Sequence, residues 1–234
     1  RGGCGWPPPM PPAKADAAGI GIVITGAGRG FCAGADMKML TSITEGGTLA
    51  PAEGELPPAP ASQPRPADLD GEYTYLLGCP KPIIAAINGA CAGMAVPIAL
   101  SCDLRFMAED AVMLTAFAQR GLIAEWGLSW LLPRVVGSAR AMDLLISSRK
   151  VTGVEAAEMG LVNKALPRER VLAHAQDYVR DMAARCSPAS SALMKRQVYS
   201  QLHAGLGPAE LESRRLMVES FSRPDMKEGV QSFL

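Results

Sequence analysis

Phe31-Cys32-Ala33-Gly34-Ala35-Asp36 and Asn88-Gly89-Ala90-Cys91-Ala92-Gly93-Met94 decide how this chain is read. The first follows an apolar run over residues 19–25, the second another over 82–87. At each place small residues stand where a strand gives way to a turn and a helix. Small side chains let a ligand approach the backbone, and the first N–H groups of a helix have no intrahelical acceptor. Two such corners facing each other offer two backbone donors to one oxygen atom. That is an oxyanion hole, suited to chemistry in which negative charge develops on a carbonyl oxygen.

The 234 residues suit one domain with a real core. Hydrophobic residues make up 48% but aromatics only 5%, so Ala, Leu, Val and Met must do most of the packing. Lys plus Arg and Asp plus Glu balance at 23 each, which leaves no long-range field to draw nucleic acid or a membrane surface. Any anionic ligand must be held by local basic residues. No apolar run reaches the ~20 residues of a membrane span, and the N-terminus lacks an apolar signal core. The six cysteines show no Cys-x-x-Cys spacing and read as reduced, mostly buried residues of a cytoplasmic protein. With only His174 and His203 present, the inventory argues against a zinc site or a Ser-His-Asp triad.

Three stretches follow from composition and periodicity. Residues 1–18 are Pro- and Gly-rich and irregular; 19–166 form a core interrupted by a long loop over 41–68; 167–234 are helical. Strands are expected over 20–25, 83–87, 103–107 and 162–166. Helices are expected over 70–77, 94–101 and a stretch containing 143–147. Thr152-Gly153-Val154-Glu155 fits a capping box before a helix ending at Gly160. Further helices are expected over 168–185, 188–203 with Ser187 as N-cap, 208–221, and a last one opening at Asp225 with Glu228 three residues on. Gly28-x-Gly30-x-x-Ala33 matches a dinucleotide fingerprint superficially. The Pro-rich stretch that follows it lacks the helix and second strand that such a unit needs. Strands alternating with helices, then a helical end, give an α/β fold.

Gly30-Phe31-Cys32-Ala33-Gly34-Ala35-Asp36, the run from Lys81 to Gly89, and Cys102-Asp103-Leu104-Arg105 together resemble the enoyl-CoA hydratase/isomerase (crotonase) superfamily. Trp130-Leu131-Leu132-Pro133-Arg134 and Gly160-Leu161-Val162-Asn163 are further landmarks, and the resemblance runs over residues 19–234. It implies a crotonase-like spiral of ββα units whose C-terminal helices build a homotrimer or a dimer of trimers. It also implies an acyl-CoA thioester as substrate, with no separate cofactor because coenzyme A is part of the substrate, and no metal. Family chains usually carry strands and a helix ahead of the position of Gly19 and continue past that of Leu234. The expectation is therefore an open first sheet edge and low solubility.

The resemblance assigns the oxyanion hole to the backbone N–H groups of Ala35 and Met94, with Ala33, Gly34, Asp36, Met37, Gly93 and Phe117 against the substrate. Most relatives have Gly where Met94 stands; the donor is backbone, so Met keeps it while narrowing the acyl pocket. The hydratase branch uses two glutamates, at positions occupied here by Pro97 and Phe117, neither of which handles a proton. Gly121-Leu122-Ile123-Ala124-Glu125-Trp126-Gly127 resembles the loop where single-carboxylate members keep their acid/base, which makes Glu125 the catalytic candidate. Ile123, Trp126 and Leu128 predict partial burial of that carboxyl, against the plain alternative of a solvated loop glutamate.

Other positions carry less. Asp36 is expected to support its own loop, Asp103 and Arg105 to pair beside a strand, and Glu109 and Asp110 to form a polar turn. Cys91 and Cys102 read as core residues; Arg29, Lys38 and Lys81 could meet the CoA phosphates. The function implied is double-bond isomerisation of an enoyl-CoA. Enoyl-CoA hydration, or a non-catalytic acyl-CoA-binding or assembly subunit of the same fold, are the alternatives.

Overall fold

Successive turns of the chain each lay one strand in a larger sheet, one in a smaller sheet, and then a helix. The structure, a computed structural model, describes residues 19–34, 41 and 75–232. In chain order it runs β1 (Ile22–Thr25), α1 (Tyr75–Gly78), β2 (Ile83–Ile87), β3 (Cys91–Ala92), α2 (Ala95–Leu100), β4 (Leu104–Ala108) and β5 (Val112–Leu114). There follow α3 (Leu128–Val136), α4 (Ser138–Ser147), β6 (Val151–Thr152), α5 (Gly153–Glu158) and β7 (Lys164–Leu166). The chain then continues as α6 (Arg168–Arg185), α7 (Pro188–Gln201), α8 (Leu206–Phe221) and α9 (Pro224–Gln231).

The larger sheet is parallel throughout, in the order β1-β2-β4-β7. Ile83, Ile84, Ala85, Ala86 and Ile87 are all fully buried, as a central parallel strand covered on both faces requires. Helix α6 packs across β1, β2 and β4. The smaller sheet, β3-β5-β6, has β3 parallel to β5 and β5 antiparallel to β6. An isolated parallel bridge, Cys32 to Cys91, adds the segment after β1 to its edge. The ββα repeat is thus β2-β3-α2, then β4-β5 leading to α3.

Cap chemistry sets several boundaries. Thr152 Oγ1 accepts from Glu155 N–H and opens α5, and Ser187 Oγ accepts from Ser190 N–H and opens α7. Three sequence expectations are corrected. The small sheet was not foreseen: its strands have two or three residues, too short for a periodic signal. Asp225 does not open the last helix; Arg223 is its N-cap, and the Asp225 carboxylate instead accepts from Ser187 Oγ, which ties α9 to the α6–α7 corner.

Asp103 and Arg105 do not pair. Asp103 Oδ2 accepts from Ile83 N–H at 2.6 Å and from Lys195 Nζ at 2.8 Å, and Oδ1 from Tyr199 Oη–H at 2.9 Å. Lys195 Nζ donates also to Leu76 O and Lys81 O, which clamps α7 onto the entry to β2. Arg105, buried, donates instead to Cys102 O and Leu161 O, while its own N–H donates to Asn163 Oδ1. Asp103, one residue before β4, is taken up by groups of β2 and α7, whereas Arg105 within β4 reaches the carbonyls of Cys102 and Leu161, so the two find different partners.

Candidate active site

Two strands of the larger sheet deliver the two corners. After β1 the chain turns through residues 26–30, held by Asn88: its Oδ1 accepts from Gly26 N–H, and its Nδ2 donates to Gly26 O and Gly28 O. Thr25 Oγ1 donates to Ala86 O. Arg168, at the start of α6, donates to Arg29 O and to Asn88 O at 2.7 Å while its guanidinium pairs with Asp110. The Ile-Asn-Gly sequence after β2 is therefore the brace that fixes the first corner against the second. Arg168 was not singled out from sequence; its partners lie 58 to 139 positions away.

Beyond the brace the two segments run side by side. Cys32 N–H donates to Ala90 O at 3.0 Å and Ala92 N–H to Cys32 O at 3.0 Å. Gly34 follows at φ +91°, and a Cβ built on it would stand 2.8 Å from Ala92 O. Gly93, at φ +55°, has its nearest approach to the Gly34 Cα. Both positions need glycine, one for conformation and close contact together, the other for conformation. The residues immediately after these two glycines are Ala35 and Met94. Met94 is the N-cap of α2 with helical backbone (φ −56°, ψ −22°), and no backbone carbonyl of the described residues accepts from its N–H. Ala33 is exposed beside buried Gly34, whereas Ala35, Asp36, Met37 and Lys38 lie outside the described residues.

Helix α2 is buried along its whole length, Pro97 included, and packs against α3. Pro97 sits in the first turn, where its missing N–H costs nothing. Phe117, 6% exposed, caps a single 3-10 turn, Ala118–Arg120, and its carbonyl accepts from Arg120 N–H and Leu122 N–H. Ala116 before it is buried at φ +63°, a left-handed conformation that an alanine adopts only under constraint. Glu125 lies in the turn that enters α3 and is half-buried, its carbonyl accepting from Leu128 N–H. The expected apolar surround is only partly there: Leu128 is fully buried, but Ile123 is 77% exposed. No ion pair involves the Glu125 carboxylate among the described residues.

Burial keeps two of the thiols protonated at neutral pH. Burial pushes Cys102 up to about 12, and burial together with the neighbouring Cys32 and Cys102 pushes Cys91 well above its usual range. Glu109 and Asp110 form an exposed turn, with Asp110 tied to Arg168. Arg29 is exposed and Lys81 half-buried. Among the described residues no three His, Cys, Asp or Glu side chains gather to hold a metal, and no helix is long and apolar enough to cross a membrane.

A sequence model of the family described as enoyl-CoA hydratase/isomerase matches residues 12–234. The chain belongs to that family. A probable enoyl-CoA hydratase of Rhodobacter capsulatus is 36% identical to this family member over 91% of the chain and 77% of the relative. A probable enoyl-CoA hydratase/isomerase from Mycobacterium abscessus superposes with a TM-score of 0.80 at 26% identity, covering 94% of this chain and 80% of that one. A monofunctional enoyl CoA isomerase from M. smegmatis does so with a TM-score of 0.64 at 30% identity, covering 84% and 78%. The hydratase/isomerase family thus accounts for the spiral of ββα units and the helical C-terminal region, and its members include both reaction types.

Proposed function

We propose that this family member isomerises the double bond of an enoyl-CoA, with Glu125 as its one acid/base. The observation that carries the reading is a contrast of three positions. Pro97 and Phe117, where the hydratase branch would need glutamates, are buried and apolar, while Glu125, a half-buried residue in the turn entering α3, carries an ionisable carboxyl group. One carboxylate suffices for isomerisation. Glu125 takes a proton from C2 of a 3-enoyl thioester, and the electron pair flows onto the thioester oxygen to give a dienolate. The N–H groups of Ala35 and Met94 hold that oxyanion. Collapse of the dienolate with return of the proton to C4 yields the 2-enoyl thioester, and Glu125 is a carboxylate again. The abutment of Gly34 on Ala92 and Gly93 supports the hole, because it brings the two corners within backbone contact.

Hydration is the second reading, favoured by the name of the Rhodobacter relative. It would need Glu125 plus a further proton-handling group. Assembly as a homotrimer or a dimer of trimers belongs to the same proposal. It is supported by the exposed apolar side chains of the C-terminal helices, among them Met194, Val198, Leu211 and Phe221. Sedimentation velocity tests it, and a monomer at micromolar concentration would refute it.

The catalytic assignment is tested by Glu125→Gln. Binding of an acyl-CoA thioester should persist, since its oxygen is held by backbone groups, while turnover falls by roughly two to four orders of magnitude. Unchanged turnover would remove Glu125 from the mechanism.

A further inference from the structure

We propose that Cys32 and Cys91 are a modification site, closing to a disulfide under peroxide and tying together the two corners of the site. The two residues are register partners of a parallel bridge, with a backbone hydrogen bond of 3.0 Å on either side of the pair. Neighbouring strands lie about 4.8 Å apart, and in-register residues project from the same face. That spacing falls inside the roughly 4.4–6.8 Å Cα separation that a disulfide spans.

The two thiols differ in access, and the difference assigns their roles. Cys32 is half-buried and meets the oxidant, whereas Cys91 is fully buried. The Cys32 sulfur attacks the peroxide O–O bond, giving a sulfenic acid and releasing water. The Cys91 sulfur then attacks the Cys32 sulfur and expels the hydroxyl as a second water. Two thiols and one hydrogen peroxide become one disulfide and two waters, with two electrons passing from sulfur to oxygen. The second step is slow, because burial disfavours the Cys91 thiolate. Cys102 also lies near Cys91, but its Sγ donates to Ile98 O within α2 and it is no strand partner of Cys91. Cys186, exposed at the end of α6, is placed to bridge between chains instead.

The site lies three residues before Ala35 on one side and three before Met94 on the other, so its closure fixes the spacing of the corners whatever reaction they serve. The test is peptide mapping of the full chain after hydrogen peroxide treatment and alkylation of the remaining thiols. The expected product is a linked Cys32–Cys91 peptide pair that leaves four of the six thiols titratable in denaturant and is reversed by dithiothreitol. Cys32→Ser and Cys91→Ser should each abolish the link, and Cys186→Ser should leave it intact. The wild-type map decides the matter even if Cys91→Ser does not fold. Over-oxidised Cys32 beside an alkylated Cys91, or a Cys91–Cys102 link, would overturn the proposal.

Discussion

Gly34→Ala should damage turnover as well as stability, whereas Gly28→Ala should cost stability alone. At Gly34 an added Cβ meets two obstacles: a backbone φ of +91° and the carbonyl of Ala92 at 2.8 Å. The obstacle is main chain and cannot rotate away, so the first corner must retreat by about 0.6 Å to reach an ordinary 3.4 Å contact. Gly28, in the turn over residues 26–30 that precedes it, supplies the control. Its φ is +79° and its Cβ would enter open space. Gly28→Ala therefore isolates the conformational term, roughly 1–2 kcal/mol. Gly34→Ala adds the displacement, for a total of about 2–3 kcal/mol. For a chain of this size each kcal/mol lowers the Tm by about 2–4 °C. Turnover should separate the two sharply. Gly28→Ala keeps it within about twofold, whereas Gly34→Ala, by displacing the corner that leads to the proposed Ala35 donor, loses roughly 10²–10³ in kcat, as removal of one oxyanion donor does. The assay is steady-state kinetics on a 3-enoyl-CoA, with thermal unfolding of both variants alongside. Equal activity in Gly28→Ala and Gly34→Ala would refute the inference that the contact between the corners builds the hole.

Two further predictions concern the frame. Lys195→Met leaves the Asp103 carboxylate, 17% exposed, without its cation; breaking a buried pair costs about 3–5 kcal/mol, or a Tm lower by roughly 6–20 °C. Adding Asp103→Asn should recover part of that loss because no unpaired charge remains, and a loss below about 1 kcal/mol in the single variant would show that the pair is not buried. Stability should also fall in alkali. Burial raises Cys102 from 9.0 to about 12, and burial followed by the Asp103 charge raises Tyr199, so the folded state holds these protons more tightly than the unfolded. Their contribution is complete below pH 9.0 and is lost as pH climbs toward about 12. Chemical denaturation across that window should show the decline, flattened in Cys102→Ala; a flat profile in the wild type would contradict it.

What the sequence reveals and conceals follows from the range of each interaction. Helix α6 has the expected bounds, and Thr152 and Ser187 cap as expected, because caps and periodicity act within a few residues. Helix α3 was recognised only as the landmark around Trp130; Pro133 inside it masks the helical signal, and its turn is instead stabilised by burial of Leu128, Leu131 and Leu132. The Asp103–Lys195 clamp joins residues 92 positions apart, and no local pattern announces such a pair. In the site, the small-residue corners were legible because close backbone approach demands glycine. Glu125 is half-buried as its apolar neighbours predict, with Leu128 buried beside it, although Ile123 itself turns to solvent. The long loop over 41–68, apart from Thr41, and the helix expected before Tyr75 lie outside the described residues.

In the proposed mechanism one carboxylate, not two, does the chemistry. A hydratase must hold a water with two or more polar partners, and buried Pro97 and Phe117 supply none. The direct measurement is kcat/KM of the unaltered protein for isomerisation of a 3-enoyl-CoA against hydration of the matching 2-enoyl-CoA. Isomerisation should exceed hydration by at least about tenfold, or about 1.4 kcal/mol of barrier. Hydration as fast as or faster than isomerisation would contradict the single-carboxylate mechanism and require a second acid in this pocket.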